Sequence, residues 1–162
     1  SLMPTNLYGP GDNYHPDDGH VLAALIRKFC EAKSKNNKDV ICWGSGNVYR
    51  EFLHVDDLSE ACLYVLENWY PSNSDAPNLK DGTKLTHLNV GTGNDITIKD
   101  LSEMIAKIIN YKGLIKWDKT KPDGTPRKNL DISRINNIGW FPKTSLEEGI
   151  KQSIEEFRNN NF

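Results

Sequence analysis

Gly44-Ser45-Gly46 lies between two β-patterned runs, Asp39 to Trp43 and Val48 to Val55, and the residues after it decide which folds are open. A dinucleotide-binding loop needs Gly-x-Gly-x-x-Gly between a strand and a helix. The glycines then admit a pyrophosphate and the helix N-terminus faces it. Here the third glycine position holds Tyr49, and a strand-like run comes next instead of a helix. Gly91-Thr92-Gly93 fails in the same way, with Ile96 at the third position. Gly44 to Asn47 therefore reads as the turn of a hairpin joining the two runs. A period of two then puts Arg50, Phe52 and His54 on one strand face and Tyr49, Glu51 and Leu53 on the other.

The flanking pattern is mixed α/β. Gly9-Pro10-Gly11-Asp12-Asn13 and Pro16-Asp17-Asp18-Gly19 are turn clusters, so residues 12–20 form a polar loop. From Val21, apolar Leu22, Leu25, Ile26 and Phe29 recur at helical spacing. A second helix opens at Val55-Asp56-Asp57, its acidic first turn suited to the macrodipole, with Leu58, Ala61, Cys62, Val65, Leu66 and Trp69 as its apolar face. The adjacent Asp56 and Asp57 read as helix-start residues and not as a catalytic pair, since neighbours on a helix diverge. Residues 70–84 form a surface loop. A strand over 85–90 precedes a helix capped by Thr97 with Asp100 and buried through Leu101, Met104, Ile105, Ile108 and Ile109. A strand over 113–117, a charged loop over 118–128, a short helix over 131–138 and a last helix from Ser145 complete the order.

Composition closes several doors. The 162 residues suffice for one domain, and a 37% hydrophobic fraction allows a modest core. A net charge of −2 argues against binding to nucleic acid through a basic surface, while leaving room for a local basic cleft. No apolar run approaches membrane-spanning length. Cys30, Cys42 and Cys62 read as buried thiols of a reducing, cytoplasmic compartment. His15, His54 and His87 lack metal-ligand spacing, so no metal is expected. Ser1-Leu2-Met3 opens inside a strand-like pattern without an initiator Met, as a piece of a longer protein would.

Trp43 and Arg50 flank the glycine turn. An indole can cover a ring and a guanidinium can pair bidentately with phosphate, so together they could grip a flat anionic ligand. On composition alone the plainer reading is favoured, with Trp43 in the core and Arg50 in a surface ion pair. His20 follows Gly19 at a loop–helix junction, where a side chain can reach a cleft or solvent.

Three landmarks tilt the balance: Asn6-Leu7-Tyr8-Gly9-Pro10, Arg50-Glu51-Phe52-Leu53-His54-Val55-Asp56-Asp57-Leu58 and Asn89-Val90-Gly91-Thr92-Gly93. They resemble the extended short-chain dehydrogenase/reductases that act on nucleotide sugars. Asp12-Asn13-Tyr14-His15-Pro16 leading to Gly19-His20-Val21-Leu22, and the run Lys121-Pro122-Asp123-Gly124-Thr125-Pro126-Arg127-Lys128, are similar to the GDP-L-fucose synthase family. The resemblance covers nearly the whole chain and only the C-terminal half of that family. It implies an α/β substrate-binding domain over 1–162, with the N-terminal NADP-binding Rossmann domain lying outside this chain.

By that resemblance Pro4, Thr5, Asn6 and Leu7 line the nicotinamide end of NADP. His20 lies near cofactor and sugar and exchanges protons during epimerisation. Lys28, Trp43, Arg50 and Lys128 contact the GDP-sugar. Relatives can carry Arg at the position of Lys28, where lysine keeps the charge but loses the fork geometry. Asp123, inside Pro-Asp-Gly, reads as a turn former before a ligand. The implied reaction, on GDP-4-keto-6-deoxy-D-mannose with NADPH, yields GDP-L-fucose, and the resemblance suggests a homodimer for the full-length enzyme. The family's catalytic Ser and Tyr-x-x-x-Lys pair have no counterpart: no tyrosine here is followed by lysine four positions on. The isolated chain is expected to be inactive. Two alternatives stay open, another nucleotide-sugar epimerase or dehydratase of the superfamily, and a non-catalytic interaction module derived from it.

Overall fold

A computed structural model describes residues 1–161 except Asp17 and Asp75, so the turn expected at 16–19 falls partly outside the described residues. The elements run β1 (Leu2–Pro4), β2 (Asn6–Tyr8), α1 (Val21–Ser34), β3 (Asp39–Trp43), β4 (Tyr49–His54), α2 (Val55–Asn68), β5 (Leu88–Val90), β6 (Asp95–Thr97), α3 (Ile98–Ile109), β7 (Leu114–Asp118), β8 (Arg127–Lys128), α4 (Ser133–Asn137) and α5 (Leu146–Asn161). The α/β class expected from the sequence is the class observed.

The hairpin is not. β3 pairs in parallel with β7, while β4 joins a different sheet, parallel to β2 and β8 and antiparallel to β6. The reason lies in where the turn's backbone groups go. Gly44 N–H donates to the Asp118 carbonyl at 2.9 Å, extending the β3–β7 ladder. The carbonyls of Gly46 and Val48 accept from Lys99 and Ile98 N–H at 2.9 and 3.0 Å. Gly44 and Gly46 both hold φ of +80°, and these left-handed residues swing the chain from one sheet to the other.

β4 is the spine. Its first half, Tyr49 to Glu51, lies between β6 and β8, and its second half, Phe52 to His54, pairs with β2. Adjacent side chains leave a strand on opposite faces. Phe52 accordingly enters a core formed by α1, α3 and α5, with Ile26, Phe29, Leu101, Ile105 and Ile154. Leu53 enters a second core of α2, β5 and α4, with Val65, Trp69, Leu88, Ile135 and Trp140. Each such fully buried side chain contributes about 1.5–3 kcal/mol. Both faces of β4 are thus covered beyond Arg50, which an alternating in-and-out pattern does not anticipate.

The helix ends follow local chemistry. Thr97 Oγ1 accepts from Asp100 N–H at 2.9 Å, Asn110 closes α3 in the left-handed conformation, and Ser145 exchanges hydrogen bonds with Glu148 at the start of α5. On α2, Ala61, Val65 and Trp69 are buried as expected, but Leu66 and Cys62 are exposed. The reading of all three cysteines as buried holds only for Cys30 and Cys42. No helix among the described residues is long and apolar enough to cross a membrane.

Candidate functional site

Strand β3 alternates, with Val40 and Cys42 inward and Ile41 and Trp43 outward. Trp43 is 64% exposed, which removes it from the core. Two lysines lean on its indole: Lys28 from α1, with Nζ 5.3 Å from the ring centroid, and Lys121 from the 119–126 loop, at 5.2 Å. Lys28 Nζ also donates to the Ile41 carbonyl at 3.0 Å. Burial pushes its pKa below the ordinary 10.5, because a half-buried ammonium loses hydration. A cavity of about 270 Å³ opens here, walled by Val21, Leu25, Lys28, Cys42, Trp43 and Ile98. A second, of about 190 Å³, shares Val21, Trp43 and Ile98 with it and adds Arg50, Pro122 and Asp123.

Arg50 faces that second cavity from β4. Its Nη1 donates to the carbonyls of Tyr49 and Thr125 at 2.6 and 2.7 Å. These two bonds fix the guanidinium and tie down the 119–126 loop. Asp123 is the loop's other anchor, its Oδ1 accepting from Ser45 N–H at 2.6 Å. That hydrogen bond holds the Asp123 carboxyl below its usual range. The approach is so close that a Cβ on Gly44 would overlap Asp123 Oδ1. Asp123 thus bridges its loop to the distant Gly44–Asn47 turn, a long-range contact and not the local turn its Pro-Asp-Gly setting suggests. β8 registers Lys128 directly beside Arg50, with Lys128 exposed.

Lys28 thus neighbours Trp43, Trp43 shares a cavity with Arg50, and Lys128 lies beside Arg50, although the four come from α1, β3, β4 and β8. Among the described residues no carboxylate forms an ion pair with Lys28, Arg50, Lys121 or Lys128. Lys28 and Lys121 at the exposed indole, with Arg50 and Lys128 beyond, gather positive charge locally in a chain of net charge −2, although Asp123 walls the same cavity as Arg50 and Asp118 feels the Lys121 charge.

His20 sits at the N-cap of α1 with extended backbone, exposed, and makes no side-chain cap bond. It does not line either cavity, but its neighbours Gly19 and Val21 both line the larger one. Burial raises the Asp12 carboxyl above its usual range, and nearby His20 works against that shift. Pro4 is exposed at the end of β1. Thr5 Oγ1 and Asn6 Nδ2 both donate to the Glu51 carbonyl, at 3.3 and 2.7 Å, and Leu7 packs against the second core. Pro4 to Leu7 thus form a separate group, joined to Arg50's strand through Glu51.

Sequence reasoning missed three residues. Lys121 lay in a charged loop with no periodicity to place it. Glu51 is fully buried, and its carboxylate accepts from Thr92, Gly93 and Leu130 N–H at 2.7, 2.8 and 2.7 Å. The Gly91-Thr92-Gly93 turn does cradle an anion, but the anion is the chain's own carboxylate. Asp57 is buried and accepts from Lys143 and Thr144 N–H at 3.2 and 3.0 Å, doing more than starting a helix. The signal that could have found Glu51 is a carboxylate set directly before the apolar pair Phe52-Leu53 of a strand.

The fold is α/β with small sheets, and residues 1–91 match the NAD dependent epimerase/dehydratase family, to which the chain belongs. Within it, the chain is 47% identical over 99% of its length to a protein named GDP-L-fucose synthase from Escherichia coli (strain K12), covering 49% of that protein. It is 46% identical over 99% of its length to a putative GDP-L-fucose synthase 2 from Arabidopsis thaliana, covering 45% of it. A crystal structure of a GDP-L-fucose synthetase from Naegleria fowleri bound to NADP superposes with a TM-score of 0.83 at 26% identity, over 98% of this chain and 44% of that one. The chain spans about half the length of the curated relatives it matches.

Proposed function

We propose that this chain is the substrate-binding half of an NADPH-dependent epimerase/reductase that converts GDP-4-keto-6-deoxy-D-mannose to GDP-L-fucose. The observation that carries the proposal is Lys28 against the exposed Trp43 ring, with Arg50 on the adjoining cavity and Lys128 beside Arg50. A guanosine diphosphate has the two features this patch suits, a flat base for the indole and adjacent anions for the cations. Each charge-assisted contact contributes roughly 1.5–3 kcal/mol.

The reaction inverts the two carbons beside the ketone and then reduces the ketone. His20 is assigned the proton exchange next to the carbonyl, because an imidazole nitrogen can take up and return a proton and this one is exposed at a helix start between the cavity residues Gly19 and Val21. Pro4, Thr5, Asn6 and Leu7, together with His20, are assigned to the nicotinamide end of NADP. Their chemistry fits a flat, uncharged ring better than a phosphate: Thr5 and Asn6 spend their donors on Glu51, leaving the exposed Pro4 and the backbone to meet it. When bound, the cofactor supplies the hydride. The rest of the dinucleotide and the family's Ser and Tyr-x-x-x-Lys machinery are assigned to an N-terminal Rossmann domain beyond these residues, in a cytoplasmic enzyme.

Calorimetric titration with GDP and with UDP tests the reading. GDP should bind saturably and at least tenfold more tightly than UDP. Equal affinity for the two would move the chain to another nucleotide-sugar enzyme of the family, and no heat from either, on a folded chain, would leave an interaction module.

A further inference from the structure

Two ammonium groups already occupy the surroundings of the Trp43 ring, Lys28 at 5.3 Å and Lys121 at 5.2 Å from its centroid. A purine stacking on that ring needs space an ammonium now covers. Lys28 is tethered, half-buried on α1 with its Nζ on the Ile41 carbonyl. Lys121 Nζ holds no hydrogen-bond acceptor among the described residues, and its side chain is exposed. Its backbone is fixed nonetheless. Lys121 N–H closes a turn on the Asp118 carbonyl at 3.2 Å, and the following residues are pinned by Asp123 to Ser45 and by Thr125 to Arg50. An incoming base can therefore displace the Lys121 side chain without moving the loop. Its neighbours Pro122 and Asp123 wall the cavity that Arg50 faces, so that cavity lies within a side chain's reach of the Lys121 backbone.

We propose that Lys121 is the specificity-determining cation for the second phosphate of a nucleoside diphosphate group, resting on Trp43 until a stacked base releases it. The inference rests on the reading that this patch holds the GDP moiety. The tethered Lys28 and Arg50 meet whichever phosphate lies between them. The untethered Lys121 answers the additional charge that distinguishes a diphosphate from a monophosphate.

Calorimetric titration of GDP and of GMP into the wild-type chain, Lys121→Gln and Lys121→Arg decides it, with far-ultraviolet circular dichroism confirming that each variant is folded. Lys121→Gln should lose about tenfold in GDP affinity and keep GMP affinity within about twofold, and Lys121→Arg should retain most of the GDP preference. If the wild-type chain prefers GDP to GMP and Lys121→Gln keeps that preference, or if Lys121→Gln weakens both ligands equally, the role given to Lys121 is wrong while the GDP site stands. If the wild-type chain binds neither ligand, the site reading and this inference fail together.

Discussion

Glu51 and Lys28 carry opposite charges into half or full burial, and the fold treats them differently. Three backbone N–H groups satisfy the Glu51 carboxylate, so it is a structural anion. Replacing one oxygen by an amide, in Glu51→Gln, turns a donor towards donors within a sealed site. The expected loss is about 2–4 kcal/mol of unfolding free energy, measured by urea denaturation, and a loss below about 0.5 kcal/mol would mean the cradle is not needed. Lys28 has no carboxylate partner, and burial lowers its pKa. The fold thus penalises its charged form. That penalty is fully present below the lowered pKa and fades as pH rises through it towards 10.5. Anion binding has the opposite dependence, because only the ammonium attracts phosphate. GDP affinity should begin to fall at a pH below the ordinary lysine range, and Lys28→Arg should postpone that fall to more alkaline pH. Superimposable pH profiles for the two proteins would remove Lys28 from the site.

At the scale of elements, the device that shapes the patch is the junction of the Gly44–Asn47 turn with the 119–126 loop. Gly44→Ala drives a methyl into Asp123 Oδ1 at a φ of +80°, so the substitution strains the turn and displaces the latch together. A loss of about 1–3 kcal/mol is expected, with faster amide exchange over 119–126 than in wild type; unchanged exchange there would show the loop held by other means. The helices were legible in the sequence because α1, α3 and α5 repeat their apolar residues over three or more turns, and Thr97 and Ser145 announce their caps. β2, β6 and β8 were not, since segments of two or three residues carry no periodicity. The hairpin reading failed for a related reason. Local turn chemistry told that the chain bends at Gly44 and Gly46, but which strands pair is set by distant partners, β7 for one run and β2, β6 and β8 for the other. The residues of the candidate patch were reached through motif resemblance, because no local pattern brings Lys28, Trp43, Arg50 and Lys128 together, and Lys121 emerged only from three-dimensional proximity.

For the whole molecule, two cores meet at β4, and the patch sits at the end of that strand nearer the first core. The chain covers about half of its relatives' length and contains no tyrosine followed by lysine at the fourth position. With NADPH and the 4-keto sugar it should therefore bind the sugar nucleotide and leave NADPH unoxidised, followed by the nicotinamide absorbance; steady oxidation would contradict the assignment of hydride chemistry to another domain. The most direct measurement is a map of amide and indole NMR shifts as GDP is added to the chain. The largest changes are expected at the Trp43 indole N–H, Arg50, Lys121 and Lys128. Changes gathered instead around the 480 Å³ cavity bounded by Phe52, Thr92, Ile96 and Leu146 would place the nucleotide elsewhere and contradict the placement at Trp43.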